Sequence, residues 1–120
     1  MKKRMNMARR RMNHIISELN HALLLAGCRE ILLRLIREET GLRLNIEAAV
    51  APEALPVIER MASLLQPAVR NPALVETYWE LAGEDQYTSD SEMALVGQML
   101  DQAHVALENG QVHMNLYIAF

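Results

Sequence analysis

The chain has 120 residues, 51% of them hydrophobic and 22% charged, with a formal net charge of −3 at pH 7. Those values describe one packed domain and exclude a disordered chain or a large multidomain enzyme. The single cysteine, Cys28, excludes an intrachain disulfide and a cysteine-built zinc site, and no apolar run of about 18 residues is present to span a membrane.

The charge is unevenly placed. Lys2, Lys3, Arg4, Arg9, Arg10 and Arg11 fall in the first eleven positions with no acid among them. From Asn71 onward there is no Lys or Arg, while Glu76, Glu80, Glu84, Asp85, Asp90, Glu92, Asp101 and Glu108 are all acidic. The expected organisation is a basic flexible arm over 1–11 and a single helical globular domain over 12–120.

A first helix is expected from Met5 to Ala26, with Met12, Ile16, Leu19, Leu23 and Ala26 as its apolar stripe. "LAGC" at 25–28 has the form of a lipoprotein signal ending. However, Ser17, Glu18, Asn20 and His21 interrupt the apolar region that such a signal requires. The cytoplasm is therefore the expected compartment, with export and lipidation at Cys28 as the alternative. Beyond Gly27, the residues Leu24, Cys28, Ile31, Leu32 and Leu35 form a second stripe, predicting a helix from Cys28 to Glu39. Gly27 is the natural pivot between the two.

Leu42, Leu44 and Ile46 alternate with polar residues and suggest a short strand. "APEALP" punctuates the chain before a helix from Pro56 to about Leu65. "NPALVETYWELAG" has the caps of a further helix, with Asn71 before Pro72 at the start and Gly83 past the end. Ser89 and Glu92 have capping-box spacing for a last helix reaching about Asn109, striped by Met93, Val96, Leu100, Ala103 and Leu107. "QVHMNLYIAF" alternates and predicts a C-terminal strand. The expected fold is thus mainly α, with four to five helices and one or two short strands, becoming α+β if residues 42–48 and 112–119 pair. The alternative partner for that last strand is its copy in a second subunit.

No phosphate loop or nucleophile elbow is present, so an enzyme is not expected. The expected function is non-enzymatic protein binding, as an adaptor, chaperone, inhibitor or regulatory subunit. It would use apolar helix faces and the acidic C-terminal half, with a basic protein among the candidate partners and a homodimer as the expected assembly. Glu76, Tyr78, Trp79, Glu80, Glu84 and Asp85 are the candidate contacts, because Tyr and Trp make good anchors where exposed. The alternative is a nucleic-acid-binding regulator, with Lys2, Lys3, Arg4, Arg9, Arg10 and Arg11 neutralising phosphates.

No cofactor is expected. A third reading is a metal-dependent helical-bundle enzyme. His14, Glu18 and His21 share a helix face, and Asp101 and His104 repeat the carboxylate-x-x-His step that bundles use to hold metal pairs.

Overall fold

The structure, a computed structural model, describes residues 2–66 and 89–120. Helix α1 (Lys2–Leu25) buries Ala8, Met12, Ile15, Leu19 and Leu23, steps of three and four that keep one face inward. It stops where the sequence placed a pivot. Gly27 has φ +87°, a left-handed conformation that a side chain disfavours. Its N–H donates to the carbonyl of Leu24 at 3.0 Å, and that of Cys28 donates to the carbonyl of Leu23 at 3.1 Å. These two bonds close the helix as a Schellman motif and turn Cys28 into the core.

The mainly helical expectation is corrected from this point on. β1 (Ile31–Arg37), β2 (Gly41–Ala49), β3 (Gln102–Glu108) and β4 (Gln111–Ala119) form an antiparallel sheet in the spatial order β1-β2-β4-β3, and the domain is α+β. The segment expected as a helix from Cys28 to Glu39 is β1. Its apolar residues satisfy both periods, since Ile31, Leu33 and Leu35 also alternate, and pairing with β2 decides between them. The last helix also ends early. Helix α3 (Ser89–Met99) stops ten residues short of Asn109, and Gln102–Glu108 crosses back as β3. Ala103, Val105 and Leu107 alternate there. Asn109 (φ 49°) and Gly110 (φ 75°) make a two-residue turn of the type that joins hairpin strands.

β2 and β4 pair along their full lengths, from Gly41 against Ala119 to Ala49 against Gln111. Residues 42–48 therefore do pair with the C-terminal strand. Leu44, Ile46, Val112, Met114, Leu116 and Ile118 point to the helix layer and are buried there. A 3-10 turn (Pro52–Ala54) leads into helix α2 (Leu55–Leu65), which occupies the helix expected from Pro56. α1 lies on β2 and β4, and α3 packs against both α1 and α2. Ile58, Leu65, Leu95, Val96 and Leu100 complete the core.

Candidate protein-docking edge and the surrounding site residues

The two edge strands are treated differently. In the β1–β2 ladder, Ala49 N–H donates to Glu30 and Glu38 N–H donates to Gly41, at 3.3 and 2.9 Å. These end bonds set the phase: the even residues of β1 bond to β2, and the N–H and C=O of Ile31, Leu33, Leu35 and Arg37 point away from the sheet. The sequence of β1 is apolar on both faces, and Leu32 and Leu35 are 58% and 52% exposed. At the other edge, the outward N–H of Val105 in β3 donates to Gln66 Oε1 at 2.9 Å. Among the described residues, one edge is thus blunted by a side chain from the end of α2, and the other presents an apolar template.

The sheet face opposite the helices carries rows of polar side chains set by the register. Leu32, Glu47, His113 and Ala106 lie side by side, as do Arg34, Asn45, Asn115 and His104. They line a shallow concavity of about 330 Å³ that reaches the β1 edge. His113 Nδ1 lies 3.4 Å from Glu47 Oε1. Arg43 sits in the next row, with its guanidinium 4.8 Å from the centre of the Tyr117 ring. It donates through Nε to Glu38 at 2.8 Å and through Nη1 to Asn115 at 2.7 Å. The hydrogen bond to Glu38 holds the guanidinium even more firmly protonated than usual. Of the two arginines on this face, Arg43 is committed to internal partners and Arg34 is exposed.

On the helical side, Leu25, Val57, Met61, Leu64 and Met93 line an apolar groove, also about 330 Å³, with Arg60 at its margin. Leu25 and Val57 are its exposed apolar residues, while Met61 and Met93 form its buried floor. Among the described residues no helix is long and apolar enough to cross a membrane.

The sequence-derived candidates separate in space. Glu76, Tyr78, Trp79, Glu80, Glu84 and Asp85 lie outside the described residues. Lys2 opens α1, and Lys3, Arg4, Arg9, Arg10 and Arg11 are exposed on its first three turns, Arg4 and Arg11 flanking the buried stripe and Lys3 and Arg10 opposite it. Arg9 donates to Asn6 Oδ1 at 3.1 Å. The residues 2–25, which a lipoprotein signal would discard, supply five buried core side chains. Burial pushes the Cys28 thiol above its usual range, opposing the thiolate that nucleophilic chemistry would need.

The proposed metal set is also divided. His14 and Glu18 do converge, but their third neighbour is Glu92 from the first turns of α3, and one ligand atom from each lies within 4.8 Å of the others. His21 is exposed on α1, and His104 stands on the open sheet face. Asp101 precedes β3, where its Oδ2 accepts the N–H of Ala119 at 2.7 Å. The helical bundle that those paired steps required is not the fold of this chain. Partial burial, and then the Glu18 carboxylate, push the Glu92 carboxyl above its usual range, while His14 pulls the other way. Glu92 was legible in the sequence only as a capping residue, because its neighbours across the helix interface were not.

Comparison with known protein families, with curated proteins and with solved structures gives no match to this chain. The functional reading therefore rests on the geometry alone.

Proposed function

We propose that this chain is a non-enzymatic protein-binding module that takes up an extended segment of another protein as an added strand beside β1. The observation that carries this reading is the contrast between the edges. Val105 on β3 is capped by Gln66, while Ile31, Leu33, Leu35 and Arg37 on β1 offer their outward backbone groups beside exposed leucines. Strand addition gains affinity from main-chain hydrogen bonds and specificity from alternate side chains. Arg34 and Arg37 are both exposed on β1, so the matching segment is apolar with interspersed carboxylates. An adaptor, chaperone, inhibitor or regulatory subunit can work in this way without chemistry.

The test is affinity purification of the partner followed by amide hydrogen exchange on the complex. The N–H groups of Leu33 and Leu35 should become protected, and Leu35→Lys should abolish binding while leaving the fold intact. Protection confined to the groove beside Val57 and Leu64 would refute the edge as the docking site. A second copy of the chain is the competing occupant, and a doubled mass in light scattering that Leu35→Lys halves would select it.

A second reading has its own observation: Lys3, Arg4, Arg9, Arg10 and Arg11 are exposed around the first three turns of α1 with no acid among them, a positive surface suited to a phosphate backbone. Nucleic-acid affinity should then fall steeply with salt and be lost when Arg9, Arg10 and Arg11 are replaced together by Ala. No binding at low salt would remove this reading.

A further inference from the structure

We propose that His14, Glu18 and Glu92 form a site for one Zn²⁺ ion that clips α3 to α1. His14 and Glu18 are four residues apart on α1, so their side chains rise from the same helix face one turn apart. Glu92 reaches them from α3, which packs on that part of α1. The neighbours Ile15, Leu19 and Met93 are buried, so the backbone on both sides of the cluster is anchored in the core. All three ligand side chains are partly buried, and His14 Nε2 is shielded from solvent.

The donor set selects a class of ion, of which Zn²⁺ makes the least demand on geometry. One imidazole nitrogen and two carboxylate oxygens suit a borderline divalent metal; Ca²⁺ and Mg²⁺ favour oxygen alone, and Cu⁺ favours sulfur. Three protein ligands with water in the fourth position is an established Zn²⁺ arrangement. In a tetrahedral site the ligand atoms stand about 3.3 Å apart. Here they lie within 4.8 Å of one another, so the ion would draw them together by up to about 1.5 Å. A dication also offsets the repulsion between Glu18 and Glu92, which otherwise opposes the packing of α3 against α1.

The full chain, stripped with EDTA, is titrated with Zn²⁺ by calorimetry and by thermal denaturation. One ion should bind per chain and raise Tm, and Mg²⁺ should do neither. Glu92→Gln and His14→Gln should each lower the Zn²⁺ affinity at least about tenfold and remove the Tm gain. Glu92→Gln is near-isosteric and relieves the carboxylate repulsion, so its stripped form should fold at least as stably as the parent. His113→Gln, on the open sheet face, should bind Zn²⁺ as the parent does. The proposal is overturned by an absence of binding, by full affinity in both ligand variants, or by a loss of affinity confined to His113→Gln.

Discussion

The side-chain oxygen of Gln66 accepts the outward backbone N–H of Val105 at 2.9 Å, capping the middle of the β3 edge with a residue from the end of α2. The same side chain donates through Nε2 to the carbonyl of Ala62 at 3.3 Å, which holds it in place. Gln66→Ala should cost about 1 kcal/mol of stability, the usual net value of one hydrogen bond. It should also increase self-association, because among the described residues neither edge would then be capped. Urea denaturation reads the first effect and light scattering the second. Unchanged values in both would mean that the cap contributes nothing.

Gly97 lies where α3 meets α2. A methyl group there would overlap the carbonyl of Leu64. Replacing an exposed helix Gly with Ala ordinarily stabilises a protein by about 1 kcal/mol. Here the sign should reverse, with Gly97→Ala destabilising by about 1–3 kcal/mol as the two helices are forced apart. Thermal denaturation distinguishes the outcomes, and a raised Tm would show that the helices are not in close contact.

Gly27 is constrained by its backbone alone. Apart from Gly27 and its two chain neighbours, no described heavy atom lies within 4 Å of the position a Cβ would take, while its φ is +87°. Gly27→Ala should therefore cost about 1–2 kcal/mol. Gly27→Asn should cost less, since Asn tolerates the left-handed region at helix ends. Equal losses in the two variants would point to a steric cause instead.

Cys28 should be a poor nucleophile in the folded protein. It is 5% exposed, and burial raises its thiol pKa. Because the thiolate is the reacting form, a disulfide reagent at pH 8 should modify the native chain far more slowly than the chain in urea. Rapid modification without denaturant would contradict both the burial and the Schellman turn that produces it.

How much was legible in the sequence depended on the reach of each signal. Local signals sufficed for the body of α1, for the break at Gly27, for α2 behind its proline and for the alternation of β4. Caps, φ preferences and amphipathic spacing act over a few residues. The "NG" at 109–110, flanked by alternating residues, is a hairpin signal of the same short range. Met93, Val96, Leu100, Ala103 and Leu107 also step at helical intervals, so two local signals compete over 100–108. β1 carried the same ambiguity: "ILLRLIR" fits either period, and only the hydrogen bonds of β2 favour the extended form.

The sequence by itself determined the inward face of α1, the turn at Gly27, the alternating C-terminal strand and the basic character of the first turns. Each of these follows from the conformational preferences of neighbouring residues. Only the tertiary structure decided that the domain is a four-stranded sheet under three described helices. It alone placed Gln66 against Val105 of β3 while leaving the outward groups of β1 uncapped among the described residues, and it alone brought Glu92 to His14 and Glu18. These are relationships between segments far apart in the chain. Pairing and packing free energies set them, and no local pattern records which distant partner will satisfy an exposed strand or share a carboxylate's surroundings.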